Sequence, residues 1–491
     1  MTPRNVDVLV AGAGFSGLGA AIKLTQAGKR DFVVIERGSE VGGTWRDNTY
    51  PGAACDVPSH LYSFSFELNP RWSRSFSDGW EIQQYLRDVA AKYRVLDKFV
   101  FDCELQSAYW DPAARRWIVE TSQGVYSAKV FVSAIGALCE PALPDIKGID
   151  TFRGEIMHSA RWNHDVDLTG KRVALIGTGA SAIQIGPVIA RDVAQLDVYQ
   201  RTAPWIMPRR DRTYPKAESL AYQYVPGLQR LARTAIYWAR ETFVLGFAIN
   251  PKLAAPARRL ALGNIHKGVR DPELRRKVTP NFQIGCKRIL ISNDWYPMLE
   301  RDNVELVTDG IAEIRGDTIV GTDGIERHVD AIVVATGFHV TDSPAYDKIK
   351  GADGRTIGEV WRAEGMQAYK GAALSGFPNL FFIVGPNTGL GHNSMVLMIE
   401  SQLNYLMDAL RTMDQHGLAT VEVRREAQDE YNVELQKRME RTIWTTGGCA
   451  SWYLDAQGRN TTLWPGFTFT FRQLTRHFDH AAYDTTAEVD A

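Results

Sequence analysis

Two glycine-rich loops dominate the sequence, and each is followed at the same distance by a side chain of opposite charge. The first loop spans Gly12–Gly17 and the second spans Gly177–Ala182. Glu36 and Arg201 each lie 24 residues after the first glycine of their loop. A carboxylate after one loop and a guanidinium after the other predict two different dinucleotide sites on one chain, and hence electron transfer between them.

The first loop has the context of a nucleotide-binding βαβ unit. An apolar strand from Val6 to Ala11 precedes it, and an apolar-periodic helix from Leu18 to Ala27 follows. Glycines in such a loop permit the tight turn and the close approach of backbone to a pyrophosphate, which the helix N-terminus attracts. The next strand, Phe32 to Ile35, delivers a carboxylate that can accept hydrogen bonds from ribose hydroxyls. These features favour FAD or NAD, and the N-terminal position favours FAD, with contacts expected at Gly12, Gly14, Gly17 and Glu36.

The second loop repeats this plan between predicted strands at Arg172–Ile176 and Leu196–Gln200, with a helix over Ala180–Ala190. Its terminal guanidinium can pair bidentately with phosphate oxygens, which fits the 2′-phosphate of NADPH and disfavours NAD. The alternative is that both loops are ordinary glycine turns in an α/β sheet. The dinucleotide interpretation predicts NADPH contacts at Gly177, Gly179, Ser181, Arg201 and Thr202.

Bulk properties exclude several classes of protein. With 491 residues the chain should form two or three domains, and a formal net charge of −1 gives no field for binding nucleic acid. No apolar run approaches the roughly 18 residues of a membrane span, so no integral membrane segment is expected. Met1–Asn5 leads straight into the first strand, which argues against a signal peptide. The histidines and the five cysteines have no metal spacing, so no metal site is predicted.

The cysteines also bear on location and on the enzyme class. They are scattered, without a CxxC pair, which suits a reducing cytoplasm and argues against a disulfide reductase, since that enzyme needs a close redox pair. A cytoplasmic location is therefore expected. The five positions are Cys55, Cys103, Cys139, Cys286 and Cys449.

The predicted fold is α/β, with two Rossmann-like dinucleotide-binding domains, one for FAD and one for NADPH, and a helical insertion. Glycine turns at 133–136 and 335–337 are expected to be the crossovers between the domains. Helical spacing of Leu228, Leu231, Ala235 and Trp238 predicts the insertion, and the tail after about Phe478 is expected to be loosely held. The predicted parts are FAD domain at 1–146, NADPH domain at 150–210, helical insertion at 211–282, NADPH domain again at 283–337 and FAD domain again at 338–491.

A segment between the two loops, Phe152–Asn163, resembles the FxGxxxHxxxW(P/D) fingerprint of type I Baeyer–Villiger monooxygenases. Trp162 fits this family, whereas related N- and S-oxidising flavin monooxygenases have Tyr or Phe there. The last position departs from the pattern, because Asn163 replaces Pro or Asp. Further matches in order are Gly42–Trp45, Tyr50–Asp56, Gln200–Thr202, Lys287–Arg288, Ala335–Gly337 and Ser451–Tyr453.

The resemblance implies an FAD- and NADPH-dependent monooxygenase that inserts one oxygen atom of O₂ into ketones or aldehydes through a C4a-peroxyflavin, giving esters or lactones. The closest alternative is a flavin monooxygenase that oxygenates nitrogen or sulfur. A plain NADPH-linked reductase and a non-catalytic flavin-binding module are more distant alternatives. The partners expected are therefore a small ketone or heteroatom substrate and O₂, in a monomer or homodimer.

The resemblance also implies roles for individual residues. Arg288 matches the active-site arginine, which is always charged and so cannot protonate a reactive oxygen anion. Asp56 matches the carboxylate beside it, and Lys287 matches a residue that helps Arg201 and Thr202 hold the 2′-phosphate. His158 and Trp162 would couple the domains, although a lone His is usually structural. Outside the resemblance, Arg288 and Lys287 could be charges entering a strand and Asp56 a turn residue. Other expected cofactor contacts are Thr44, Trp45 and Asn387.

Overall fold

The computed structural model describes residues 2–455 and 457–488. Its main sheet combines strands from both ends of the chain, and parallel pairing joins Arg4–Ala11 to a strand on either side. All four residues of Phe32–Ile35 are buried, as expected for a strand covered on both faces. The strand order is Ile349–Lys350, Leu105–Asp111, Arg116–Thr121, Gly124–Ser133, Arg4–Ala11, Phe32–Ile35 and Phe99–Val100, with Leu380–Phe382 paired to Gly124–Ser133.

Three long helices cover this sheet: Phe15–Gln26, Gly79–Lys92 and Met395–His416. The first and last of them pack closely, because a Cβ on Gly19 would lie 2.6 Å from Leu403 Cδ1. Leu403 is fully buried in the same apolar cluster as Leu18 and Phe64. A helix from the last third of the chain therefore completes the core begun by the first thirty residues.

A second sheet is parallel throughout, with the order Val304–Val307, Gln195–Tyr199, Arg172–Ile176, Ala331–Val334 and Glu155–His158. Its central strands are buried runs of Val, Ile, Leu and Ala, which is the composition of a sheet covered on both faces. The helices Ala182–Ile189 and Trp295–Leu299 pack on it. An antiparallel meander is attached, formed by Ile311–Arg315, Thr318–Gly321 and Glu326–His328.

The predicted insertion is helical. In one of its helices, however, the apolar residues that predicted the helix face outwards. Leu231 and Trp238 are 66% and 54% exposed, whereas Gln229 and Arg233 on the opposite side are buried. The spacing that predicted the helix therefore lies on its outer face. The helices of the insertion are Lys216–Tyr224, Leu228–Glu241, Ala255–Gly268 and Pro272–Val278, with a π-helical turn at Leu245–Ile249.

The prediction of a loosely held tail was wrong for residues 478–488, whereas residues 489–491 lie outside the described residues. Tyr483–Ala487 forms a strand that pairs antiparallel with Leu418–Val423, and Tyr483 is buried. The segment is held because its tyrosine fills the apolar cluster under the main sheet. The remaining elements are the helices Thr44–Asp47, Ile357–Glu364, Arg425–Met439, Ile443–Thr446 and Thr468–Leu474, and the paired strands Ile206–Met207 and Leu290–Ile291. Among the described residues, no helix has the length and apolar character needed to cross a bilayer.

Candidate active site

The first glycine loop is fixed against the strand that leaves its domain. Gly12 has φ +108, and a Cβ there would lie 2.5 Å from the carbonyl oxygen of Ala134. A Cβ on Gly17 would lie 1.7 Å from the carbonyl oxygen of Gly12, so helix and loop touch. The helix begins at Phe15 without a side-chain cap from Gly14, which leaves its first N–H groups for a phosphate.

The second loop repeats this geometry. Gly177 has φ +113, and a Cβ there would lie 2.5 Å from the carbonyl oxygen of Ala335. Ala134 and Ala335 both belong to the glycine turns predicted as crossovers. Nothing lies within 4 Å of a Cβ placed on Gly179, which lines open space. The two loops are therefore equivalent in construction, and both leave room for a pyrophosphate.

Glu36 is held at the end of its strand by the loop itself. Its carboxylate accepts hydrogen bonds from the backbone N–H groups of Ala13, at 2.8 Å, and Gly38, at 2.7 Å. Arg46 forms an ion pair with it at 2.9 Å. The carboxylate is thus fixed at the cavity wall.

Arg201 and Lys287 bring two cations to the other end of the cavity. Burial and the nearby charge of Arg201 lower the pKa of Lys287 below its ordinary value. Within the described part of the chain, neither side chain forms a salt bridge to a carboxylate. Two unpaired cations that repel each other fit a 2′-phosphate, which would relieve the repulsion. Thr202 also lines this region, and its carbonyl accepts from the Thr178 hydroxyl at 3.2 Å.

Asp56 and Arg288 form a bidentate ion pair. Arg288 Nε donates to Oδ2 at 2.8 Å, and Arg288 Nη2 donates to Oδ1 at 2.6 Å. Burial alone would raise the pKa of Asp56, but the charge and hydrogen bonds of Arg288 lower it below its ordinary value. The charge of Asp56 in turn raises the pKa of Arg288. Both groups are therefore ionised at neutral pH.

The turn that carries Asp56 is anchored on the second domain. Gln184, in the helix of the second loop, accepts from the Tyr50 hydroxyl at 2.8 Å and donates to the Ala54 carbonyl at 3.0 Å. Gly52 has φ +83, and a Cβ there would lie 2.7 Å from the Gln184 carbonyl oxygen. The turn therefore positions Asp56 by contact with the domain that also supplies Arg288.

Arg240 is a third charged member of this cluster, and sequence analysis missed it. It lies in the helix Leu228–Glu241 and donates from Nη2 to the backbone carbonyl of Asp56 at 3.1 Å. Burial lowers its pKa, the charge of Asp56 opposes that effect, and arginine still remains a cation in proteins. Two guanidinium groups around one carboxylate leave a net positive charge at the site.

Thr44 and Trp45 follow a glycine pair that packs on the first loop. The Gly42 N–H donates to the carbonyl of Ala13 at 2.9 Å, and both side chains line the cavity. Trp45 Nε1 donates to the Tyr62 hydroxyl at 3.2 Å, and the two rings meet edge to face. The segment therefore forms a rigid wall beside the loop.

Asn387 lies in a turn beside the cavity, with its side chain bonded to the protein. Its side-chain amide donates to the carbonyl of Asn460 at 2.7 Å and to that of Leu463 at 3.1 Å. It is 3% exposed and lies behind the cavity wall, whereas its neighbours Pro386 and Thr388 line the cavity. The Asn387 side chain therefore holds this turn, whose neighbouring residues face the cavity.

The fingerprint segment lies at the second crossover. Ala160 N–H donates to His158 Nδ1 at 3.1 Å, which leaves the proton on Nε2 to donate to the carbonyl of Gly337 at 3.0 Å. The buried His158 thus connects the fingerprint to the glycine turn. Asn163 is exposed, and its Oδ1 accepts from the Asp165 N–H at 3.0 Å. Asp can form the same turn, so the departure from the family pattern conserves the local structure.

A continuous cavity of about 2060 Å³ joins both loops to the Asp56–Arg288 pair. This volume is about twice the upper end of the usual range for a single ligand pocket, roughly 300–1,000 Å³. Two extended dinucleotides need such a space. The cavity opens at the carboxyl ends of the parallel strands in both sheets, where nucleotides bind in doubly wound folds.

The structure also contains a disulfide between Cys286 and Cys449, with Cα atoms 6.2 Å apart. The other three cysteines, Cys55, Cys103 and Cys139, are free. The partners are separated by 163 residues, so their spacing gave no signal.

Comparison with known proteins identifies the family. A sequence profile described as "Pyridine nucleotide-disulphide oxidoreductase" matches residues 9–237. A Baeyer–Villiger monooxygenase of Streptomyces coelicolor is 51% identical over 99% of this chain and 94% of its own length. One from Pseudomonas aeruginosa is 49% identical over 98% of this chain and 92% of its own length. The chain belongs to the Baeyer–Villiger monooxygenase family.

Solved structures agree with this family membership. Cyclohexanone monooxygenase from Rhodococcus sp. Phi1 bound to NADP⁺ has a TM-score of 0.88 at 27% identity, over 99% of this chain and 100% of that chain. An oxidised steroid monooxygenase bound to NADP has a TM-score of 0.87 at 32% identity, with the same coverage. The predicted α/β fold with two Rossmann-like dinucleotide-binding cores is confirmed. The predicted class, an FAD- and NADPH-dependent Baeyer–Villiger monooxygenase, is confirmed as well.

Proposed function

We propose that Arg288 and Asp56 form the catalytic centre at which this enzyme inserts oxygen into a ketone to give an ester or lactone. The observation that carries this proposal is the bidentate ion pair between them, in a cavity reached by both glycine loops. When bound, FAD supplies hydride acceptance from NADPH and activation of O₂. The protein supplies orientation, charge and exclusion of water.

Arg288 stabilises the negative oxygen that develops on the substrate. Asp56 engages its Nε and Nη2 atoms, and among the described residues no hydrogen bond involves Nη1. The free donors of Nη1 can therefore face the reacting oxygen. A single cation at about 4 Å and an effective dielectric constant of about 20 contributes on the order of 4 kcal/mol, less the part that Asp56 cancels. Arg240 restores part of that positive charge.

Asp56 fixes the orientation of the Arg288 guanidinium group. Because the pKa of Asp56 is lowered, it remains a carboxylate across the neutral range. Gly12, Gly14 and Gly17 with Glu36 would hold FAD, next to Thr44 and Trp45. NADPH would be held by Gly177, Gly179 and Ser181, with its 2′-phosphate between Arg201, Thr202 and Lys287. In this arrangement Asn387 acts as a positioning residue for the wall near FAD.

The decisive experiment compares Arg288→Ala with Arg288→Lys in the purified yellow protein. We expect the alanine variant to keep FAD and to be reduced by NADPH, but to form no ester from linear, cyclic or aryl ketones in a gas-chromatographic product screen. Lysine keeps a charge but lacks the bidentate geometry, and should retain partial activity. Ester formation by the alanine variant at the wild-type rate would overturn the assignment.

Nitrogen or sulfur oxygenation is the competing outcome of the same screen. A thioether assayed beside the ketones, each as a function of pH, separates the two chemistries. Ester formation that rises as the oxidant deprotonates supports the proposal, and sulfoxide as the sole product opposes it.

We also propose the domain division predicted from the sequence. It is supported by a main sheet whose strands come from residues 4–133 and 349–382, and by a parallel sheet whose strands come from residues 155–334. A cytoplasmic location is proposed because the reaction consumes NADPH and three cysteines are free thiols. For the assembly we propose a monomer or homodimer, which sedimentation would distinguish.

A further inference from the structure

The disulfide between Cys286 and Cys449 joins two segments of the active site. Cys286 immediately precedes Lys287 and Arg288, and Cys449 lies two residues before Ser451. The segment Ala450–Tyr453, here called the Trp452 segment, lines the same cavity as Arg288. The bond therefore ties the catalytic arginine to a separate part of the cavity wall.

The two ends of this bond are held very differently. Cys286 is fully buried among Phe247, Ile443 and Trp444. On the other side, no backbone hydrogen bond among the described residues involves Gly448, Cys449 or Ala450. The nearest backbone anchor before them is the Gly447 carbonyl, which accepts from the Gln283 N–H at 3.0 Å. The sulfur bridge is therefore the main restraint on Gly448–Ala450. The far end of the Trp452 segment is held separately, because Tyr453 is buried and its carbonyl accepts from the Thr461 N–H at 3.1 Å.

The environment also distinguishes the two sulfurs chemically. Cys449 is half-buried and Cys286 is inaccessible, so an external oxidant or thiol reaches Cys449 first. In a compartment that keeps other thiols reduced, a disulfide is usually transient and redox-sensing. Cys55, Cys103 and Cys139 have no disulfide partner in the structure.

We propose that Cys286 and Cys449 are an oxidative modification site, whose disulfide fixes the start of the Trp452 segment beside Arg288 and whose dithiol form releases that start. Hydrogen peroxide is the oxidant. Cys449 Sγ attacks one peroxide oxygen, the O–O bond breaks, and a sulfenic acid and water form. Cys286 Sγ then attacks Cys449 Sγ, the S–O bond breaks and a second water leaves. The two sulfurs lose the two electrons that the peroxide gains.

The enzyme can generate this oxidant itself. NADPH, a proton and O₂ yield NADP⁺ and hydrogen peroxide whenever no substrate is oxygenated. Peroxide released by wasteful turnover would close the bridge, and a fixed cavity wall would exclude water and raise the fraction of NADPH that yields ester. This consequence rests on the proposed function, whereas the formation of the bond does not.

The test uses the FAD-loaded enzyme before and after reduction with a phosphine, with Cys449→Ser and Cys286→Ser as variants and Cys139→Ser as the matched thiol control. After denaturation, alkylation should label Cys55, Cys103 and Cys139 in the oxidised protein, and Cys286 and Cys449 as well after reduction. Peptide mapping should find the Cys286–Cys449 cross-link restored by hydrogen peroxide. Labelling of Cys286 and Cys449 after peroxide treatment would overturn the proposal.

The functional readouts are the KM for NADPH and the hydrogen peroxide released per NADPH. Reduction of the disulfide, or replacement of Cys286 or Cys449 by serine, should raise both quantities by roughly three- to tenfold. This factor corresponds to the free-energy cost of ordering one or two side chains on binding. Reduction should leave Cys449→Ser unchanged, and Cys139→Ser should respond like wild type. Equal values for the oxidised and reduced enzyme would refute a positioning role. Ester formation by Arg288→Ala would instead refute the proposed function and leave the thiol result intact.

Discussion

Asp56 and Arg288 are 232 residues apart in the sequence, yet two parallel hydrogen bonds of 2.8 and 2.6 Å join them. One comes from a turn of the first nucleotide domain and the other from the chain that returns after the helical insertion. Their contact depends on the turn at Tyr50–Asp56, which is held by Gln184 of the second loop's helix. The proposed catalytic pair is therefore also a contact between the two proposed domains.

Arg201→Ala should discriminate between the two nicotinamide coenzymes. Loss of a charged hydrogen bond to phosphate costs about 1.5–3 kcal/mol, so the KM for NADPH should rise roughly ten- to hundredfold. The KM for NADH should change little, because NADH has no 2′-phosphate. Steady-state kinetics with both coenzymes measure this, and the exposed Arg191→Ala in the same domain is the control. An unchanged preference would locate the phosphate elsewhere.

Arg240→Ala should weaken oxygenation without loss of FAD. The variant removes a cation and a hydrogen bond to the Asp56 carbonyl, and we expect ester formation to slow by about tenfold, the effect of a lost charged hydrogen bond. The measurement is ester formed per NADPH consumed. Arg230→Ala is the matched control, since Arg230 is exposed on the same helix. If both variants behaved alike, Arg240 would have no positioning role.

Gly179→Ala should leave the fold intact and weaken the binding of NADPH. A Cβ at this position meets no atom within 4 Å, so the thermal stability should not fall. The methyl group would instead occupy space that a pyrophosphate needs to approach the backbone, and the KM for NADPH should rise. Gly263→Ala, also without contacts but within a surface helix, should keep wild-type kinetics and gain roughly 0.5–1 kcal/mol in stability. Identical KM values for both variants would argue against a coenzyme at the second loop.

The buried side chain of His60 should make the folded protein less stable in mild acid than at neutral pH. Burial lowers its pKa to about 4 from an ordinary value of 6.5. Between these values the unfolded chain binds a proton that the folded chain does not, so the free energy of unfolding decreases as pH falls from 6.5 to 4, by at most about 3 kcal/mol.

The test for His60 is thermal unfolding at pH 7 and pH 5 for wild type and His60→Gln. The variant cannot titrate, so its melting temperature should depend less on pH, although its stability at pH 7 should be lower. Equal pH dependence in both proteins would show that the acid sensitivity comes from other groups.

Local patterns predicted the parts of the fold that depend on local physics. The strands at Phe32–Ile35 and Arg172–Ile176 have the predicted bounds, because uninterrupted apolar runs between glycine turns leave little choice. Contacts formed between distant segments gave no such signal. Arg240, the Cys286–Cys449 bridge and the strand Tyr483–Ala487 all depend on a partner at least sixty residues away.

The same distinction applies to side-chain direction. A helix was correctly predicted from the spacing of the apolar residues Leu228, Leu231, Ala235 and Trp238. Spacing alone does not say which face of a helix is covered by the rest of the protein. Here the core side of the helix carries buried polar residues, since Arg233 donates to the His60 carbonyl at 2.7 Å and Gln229 donates to the Asn69 carbonyl at 2.6 Å. These hydrogen bonds accompany the apolar packing of Ile236 and Tyr237 on the core.

This reversed helix gives the insertion one side to retain and one side to vary in protein engineering. Gln229, Arg233 and Arg240 recur at spacings of four and seven residues, so one stripe holds the insertion in place and contacts Asp56. Leu231 and Trp238 lie on the opposite, exposed stripe. Libraries that aim to retain turnover should therefore spare the first stripe and randomise the second, where changes alter the outer surface without disturbing the chemistry.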